Sequence, residues 1–341
     1  ANNKIIRLID KLFLSSAFRY NLEELHTSSD GRKINVSVDS LIASYSYKYF
    51  GKGKGVTIYL FLDERQLLFH STVISSSERE AAYVIDGLLQ NEVIKSNIHS
   101  TDTHGFTETI FAATHFIGTA FAPRLKNISD QKIYAFSDKK TYEARGYKIL
   151  PSRIINLKLL EQYWDDILRF MVTLKLKFTS ASQLFKRLSS YAKDHPLYKA
   201  LKEFGRIIKS IFILTYFDDV EFRQRIEKQL NKTELTNKFS KAVFFANNQE
   251  FKQGEKEEQE IAAACKVLIQ NAIILWNYLY LSQLLANNAS LEERKQMIAA
   301  LQQGSIIVWQ HINMQGEYDF TKHAANQNSF DIKKIMTLKA A

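Results

Sequence analysis

At 341 residues and 45% hydrophobic content the chain can build a sizeable core in one large domain or two, which excludes a disordered protein. Forty-six Lys and Arg against 36 Asp and Glu give a formal net charge of +10 and a pI near 9.3, which suits a polyanionic partner, nucleic acid first and an acidic membrane surface second. The one cysteine, Cys265, excludes a disulfide framework and a thiolate metal cluster, fits a reducing cytoplasm, and reads as a small buried hydrophobe after Ile261-Ala262-Ala263-Ala264.

In chain order, Ile5, Ile6, Leu8, Ile9, Leu12 and Phe13 keep helical spacing and predict a lead-in helix within residues 1–22. The chain begins at Ala1, without Met and inside that pattern, so it reads as part of a longer protein. Residues 33–38, 41–49, 55–62 and 67–74 are rich in Val, Ile, Tyr and Phe, with Gly or Asp at the breaks, and predict a meander of strands. A helix is expected over 77–90, a short strand ending at Asp102, a helix over 107–117, and short strands over 120–125 and 132–136. Strand meander, helix, strand, helix, strand is the order of a mixed α/β sheet with an antiparallel half.

From Asn156 the pattern turns helical: 157–173, 180–191, 196–215, 220–229, 234–246, 257–285 and 290–302 all carry a 3.6-residue period. No run approaches the roughly eighteen apolar residues of a membrane span, and the N-terminus lacks signal-peptide order, so no membrane partner is expected.

The residues that carry chemistry are acidic. Two-metal phosphoryl chemistry holds its cations roughly 3.5 to 4 Å apart with a few carboxylates from distant elements. Asp30, in Thr27-Ser28-Ser29-Asp30-Gly31, and Asp102, in Ser100-Thr101-Asp102-Thr103-His104-Gly105-Phe106-Thr107, are candidates, and the helical half offers Glu227, Glu234, Glu255, Glu257, Glu258 and Glu260. Spacing alone leaves Asp30 equally a turn aspartate beside a glycine and each glutamate a surface charge. Lys52 and Lys54, in Phe50-Gly51-Lys52-Gly53-Lys54-Gly55, form either a solvated hairpin tip or a basic tip that follows a phosphate backbone. Arg124, just past Phe121-Ala122-Pro123, and Lys232 are further candidates to meet DNA, and His104 to approach a scissile phosphate. His115 reads as a packed or capping histidine.

The Asp30 and Asp102 segments, together with Phe121-Ala122-Pro123-Arg124, Leu230-Asn231-Lys232-Thr233-Glu234, Lys241-Ala242-Val243-Phe244-Phe245, Leu275-Trp276-Asn277 and His311-Ile312-Asn313, resemble in order and separation the catalytic part of the Tn-three family of bacterial replicative transposases. The resemblance runs from about residue 20 to about residue 320. It implies a ribonuclease-H-like core with an Asp, Asp, Glu triad, which falls on Asp30, Asp102 and Glu234 as catalytic and metal-holding residues; Thr233 stands where the family usually has glycine. It further implies two Mg²⁺ ions, replaceable by Mn²⁺, transposon-end and target DNA as partners, a homodimer or higher assembly of the full-length protein, and a bacterial, nucleoid-associated cytoplasmic location. It implies a core first part at 23–155, a large all-helical insertion at 156–229, a return to the core with the glutamate helix at 230–290, and a C-terminal helical region and tail at 291–341. Basic residues of the insertion, among them Lys202, Arg206 and Lys209, are expected to form a DNA-facing side. A nuclease without strand transfer and a non-catalytic nucleic-acid-binding module are the alternative functions.

Overall fold

A computed structural model describes residues 1–102, 106–190, 195–287, 290–317 and 330–338, so Thr103, His104 and Gly105 lie outside the described residues. Helices α1 (Asn2–Asp10) and α2 (Phe13–Ala17) lead into β1 (His26–Val36), β2 (Ser44–Tyr45), the single-turn α3 (Tyr47–Phe50), β3 (Lys54–Asp63) and β4 (Leu68–Ser75). Next come α4 (Ala81–Gln90), β5 (Ile98–Ser100), α5 (Glu108–Phe116) and β6 (Ala120–Phe121), then a small β7 (Tyr134–Ala135), α6 (Lys139–Ala144) and β8 (Arg153–Ile154) unit. The rest is helical: α7 (Leu157–Gln162), α8 (Trp164–Lys175), α9 (Ala181–Ser190), α10 (Pro196–Asp218), α11 (Val220–Val243), α12 (Lys256–Asn287), α13 (Leu291–Gln303) and α14 (Ile332–Met336).

β1 runs antiparallel to β3 and parallel to β5, β5 runs parallel to β6, and β2 and β4 share the far side of β3. This mixed sheet with its helical region is the expected ribonuclease-H-like α/β arrangement. β3 is buried along almost its whole length because both faces are covered. Tyr59 and Phe61 enter one core with α4 and α5, while Val56, Ile58, Leu60 and Leu62 enter a second with Phe251, Ala263 and Val267. The strand's period of two thus feeds two cores at once.

α5 and α10 cross closely enough that a Cβ on Gly205 would lie 1.7 Å from the carbonyl oxygen of Glu108, so only glycine fits at that crossing. α12 is long and apolar enough, by length and composition, to cross a membrane, yet half of its most apolar window is buried in the fold. Asn271 of α12 both accepts from the amide of Leu68 at 3.1 Å and donates to its carbonyl at 2.7 Å, which fastens the helix to the start of β4.

Several local expectations change. The strand expected at 41–49 shrinks to Ser44–Tyr45, because β4 takes the edge of β3 from Val56 onward and leaves only Lys54 and Gly55 for β2 to pair. The remainder is a turn carrying α3, closed by Gly51 at φ 60°. Cys265 is exposed, not buried, since it falls on the outward side of α12 while its neighbours Ala263 and Val267 face the core. The two helices expected over 220–229 and 234–246 are one unbroken helix, α11, which carries Gln229 and Glu234 together.

Candidate active site

The segment around Asp30 is fixed by hydroxyls that alternate across β1. Thr27 and Ser29 point to one face, where their hydroxyls lie 2.8 Å from Nδ1 and 2.9 Å from Nε2 of His99 on β5. Burial pushes the His99 pKa down to about 3, so this ring is a neutral structural clasp. Ser28 points to the other face, 2.9 Å from the Thr233 hydroxyl and 2.8 Å from Nε2 of Gln229, both on α11. Thr233 therefore fastens α11 to the strand that bears Asp30.

The parallel pairing of β1 with β5 aligns Thr27 with His99 and Ser28 with Ser100. The pairing ends there, and each chain carries an aspartate two residues further on, Asp30 and Asp102, close enough for the charge of Asp102 to act on Asp30. Burial pushes the Asp30 pKa up to about 6, with the charges of Glu80 and Asp102 adding to the rise and hydrogen bonds from Asn237 (2.8 Å) and the Gly31 amide (2.9 Å) opposing it. Asp102 is half-exposed. Beyond β6 the chain keeps bonding to the β5 strand, Ala122 N to His99 O and Arg124 N to Thr101 O, and this carries Arg124 to Asp102. Nη2 of Arg124 lies 2.9 Å from Oδ1 of Asp102, and Nη1 lies 3.5 Å from Glu227 on α11.

Glu234 is exposed on α11. It lies one turn before Asn237, which holds Asp30, and two turns after Glu227, which meets Arg124; spacings of three and seven place all three on one stripe of the helix. Through Asn237 the stripe meets Asp30 of β1, and through Glu227 it meets Arg124, which holds Asp102. Among the described residues no three Asp, Glu, His or Cys side chains are grouped to hold a metal ion as they stand, and the Asp102 carboxylate is turned onto Arg124. The donor chemistry nevertheless fits a hard divalent cation, since Asp30 and Asp102 are oxygen donors whose mutual repulsion a cation relieves.

The basic candidates scatter. Lys52 and Lys54 are exposed at the far end of β3, where Lys54 pairs with Val36, six residues or about 20 Å along β1 from Asp30. Lys232 turns inward, donating to the Glu64 carbonyl at 2.6 Å with its ammonium over the Tyr20 ring, and burial pushes its pKa down to about 8. Lys209 is likewise packed, 3.8 Å from Glu108 and over Phe106, and Arg206 pairs with Glu203. His115 is exposed at the end of α5, its ring 5.6 Å from that of Phe204. His311 stacks on Trp276 at 4.6 Å, so two motif blocks 35 residues apart meet at one ring pair. His104 falls outside the described residues. Asn237, Glu227 and Glu80 were not among the residues singled out from sequence for roles at Asp30 and Asp102, Glu227 having been only one of six glutamates; the available signal was the helical spacing of the first two from Glu234.

A family model described as Tn3 transposase DDE domain matches residues 1–318. The transposase for transposon Tn1546 of Enterococcus faecium is 36% identical over 299 residues, 86% of this chain and 29% of its own length. The transposase for transposon Tn21 of Escherichia coli is 32% identical over 297 residues, 86% of this chain and 29% of its own. That for transposon gamma-delta of Escherichia coli (strain K12) is 30% identical over 327 residues, 92% of this chain and 31% of its own. The chain thus spans about three-tenths of the length of these curated relatives.

Proposed function

The chain belongs to the Tn3 transposase DDE domain family, and from that premise we propose that it cleaves DNA at transposon ends and joins the freed 3′-hydroxyl to target DNA in replicative transposition, with Asp30, Asp102 and Glu234 as its acidic triad. One observation supports the reading: Asp30 feels the charge of Asp102, each lying two residues past the last β1–β5 pair, and Asn237, one turn from Glu234, bonds Asp30.

In this reading the three carboxylates hold two Mg²⁺ ions, or Mn²⁺ in their place, which supply activation of the attacking oxygen and stabilisation of the leaving oxygen. Asn237 and the Gly31 amide orient Asp30, and Arg124 orients Asp102. The exposed Lys52 and Lys54 meet phosphates at a distance from the reaction, steadying position without reading bases, while His104 and Lys232 remain DNA-facing candidates of lower rank, the latter because its ammonium already has a carbonyl partner. Residues 23–155 and 230–290 form the core, 1–22 a lead-in, 156–229 the helical insertion and 291–341 the C-terminal region. The full-length protein works as a homodimer or higher assembly on DNA in the bacterial cytoplasm.

The test is an assay of the chain and its Asp102→Asn form on pre-nicked transposon-end DNA with Mg²⁺ or Mn²⁺, scoring hydrolysis and joining separately. Joining that Asp102→Asn abolishes is the expected result. Hydrolysis without joining would make the domain a nuclease, and DNA binding with neither reaction would make it a binding module.

A further inference from the structure

Beyond Ser28, β1 has no strand partner on its β5 side among the described residues until Val36 bridges Phe251. The open edge floors a cavity of about 440 Å³ lined by Gly31 to Asn35, by Asn237 and Lys241 of α11, and by Asn248 and Gln249 of the turn that follows. The lining holds no carboxylate; Asp30 accepts from its Asn237 at 2.8 Å, and Glu250 accepts from its Asn35 at 3.4 Å.

Two features give this cavity the chemistry of an anion site. Arg32 is buried, yet its guanidinium donates only to neutral acceptors, Oγ of Ser240 at 3.0 Å and Oε1 of Gln249 at 3.2 Å, and it makes no ion pair with a described carboxylate. Lys266 of α12 is buried within the field of Arg32, with no hydrogen-bond partner for its ammonium among the described residues. A buried guanidinium without a counter-charge is costly to fold, and an anion in the cavity compensates it, whereas Lys266, behind the lining, has its pKa pushed down to about 7 by burial and by Arg32 and can shed its charge. The second feature is backbone strain. Asn248 and Gln249 are consecutive non-glycine residues at φ 56° and 61°, pinned by the Gln249 side chain, which accepts from Arg32 and donates to the Lys241 carbonyl. Strain of this kind persists where the surroundings over-determine it, and it gathers at ligand sites.

We propose that this cavity binds a DNA phosphodiester, the neighbour of the phosphate under reaction, with Arg32 and Lys241 as its cations. Arg32 lies two strand residues, about 6.6 Å, beyond Asp30, comparable to the step between successive phosphates of an extended strand. Which phosphate is bound rests on the reading of Asp30 as catalytic; that the cavity takes a backbone phosphate does not.

Lys241 is exposed at the rim and can be removed without opening the core, so it is the residue to vary. Binding of a fluorescein-labelled random-sequence duplex, measured without divalent ions across a salt series, is expected to lose about 0.9 from the slope of log K against log salt in Lys241→Ala. The slope of Lys139→Ala, a lysine on α6 paired with Glu143, is expected to stay as in the unmodified chain. Bound duplex is also expected to shield Lys241 from an amine-reactive acylating ester, read by mass spectrometry, where inorganic phosphate at the same ionic strength does not. An unchanged slope in Lys241→Ala, unshielded Lys241, or equal shielding by inorganic phosphate overturns the inference while leaving the triad standing. A chain that binds no duplex at all overturns both.

Discussion

Arg124 sets two nitrogens on one oxygen of Asp102, Nε at 3.2 Å and Nη2 at 2.9 Å, while its third reaches Glu227 on another element. A guanidinium in this fork fixes both the direction and the charge of the carboxylate it holds. It is therefore a positioning residue for Asp102. Arg124→Ala is expected to lower metal-dependent cleavage by about 10- to 100-fold, as loss of a partner behind a metal ligand does. The pair is about one-third to one-half exposed, so the change is expected to cost no more than about 1 kcal/mol of stability. Cleavage rates with thermal unfolding of the same protein separate the two effects, and Arg124→Lys, which keeps charge but loses the fork, should fall between. Unaltered cleavage in Arg124→Ala would count against the positioning role.

Asp30 makes stability depend on pH in a defined direction. Its carboxyl is raised from 3.8 to about 6, chiefly by burial and then by the charges of Glu80 and Asp102. Between those values the unfolded chain has released the proton and the folded one has kept it, so stability falls as pH rises from about 4 to about 6 and is flat above. The penalty at neutral pH is about 3 kcal/mol for a shift of this size. Asp30→Asn should thus be more stable than the unmodified chain at pH 8 by about 1 to 3 kcal/mol, with the difference vanishing near pH 4, as followed by urea unfolding across the range. Mg²⁺ should raise the unfolding midpoint of the unmodified chain at pH 8 and not that of Asp30→Asn. An Asp30→Asn protein no more stable at pH 8 would refute the placement of this charge.

Asp86 ties the first half of the chain to the helical region. From inside α4 its carboxylate accepts from the amides of Ala181 at 2.5 Å and Ser182 at 3.0 Å, capping the start of α9 from 95 residues away. Asp86→Ala should destabilise by about 1 to 2 kcal/mol, with Asp86→Asn losing less because it keeps one acceptor. Denaturant unfolding measures both, and an Asp86→Ala protein as stable as the unmodified chain would mean that the cap contributes nothing.

Lys52 and Lys54 stand apart from both aspartates, so their joint removal should leave chemistry on bound DNA unchanged. Binding to matched and unmatched duplexes should weaken by similar factors, and the salt slope should fall by up to about 2 if each lysine meets one phosphate. A loss confined to one DNA sequence would instead indicate base reading.

What sequence could reveal follows the range of the forces involved. The helices of the second half and the strands β3 and β4 are legible because burial imposes its period locally, whereas of β1 only the part from Lys33 is, since its polar start, His26 to Arg32, is held by bonds to His99 and α11 from far along the chain. Residues 41–49 carry the same β-forming composition, yet only two of them pair, because the edge they would join belongs to β4, and competition between strands leaves no local mark. Asn231 and Thr233 are poor enough helix formers to suggest a break, but Gln229 and Thr233 are held from outside by Ser28 and the helix continues. The two aspartate motifs were visible, whereas the Arg124 fork on Asp102 and the Asn237 bond to Asp30 span 22 and 207 residues and emerge only from the fold.

The continuity of α11 has a mechanical consequence. Its 24 residues make a rod about 36 Å long, gripped near its middle by the Ser28 hydroxyl through Gln229 and Thr233. The end near Val220 joins α10 and with it the helical region, and Glu234 lies just past the grip. Further bonds follow on both sides, from Arg124 to Glu227, from Asn237 to Asp30 and from Arg32 to Ser240, so the helix acts as a splint that holds Glu234 at a fixed height above β1.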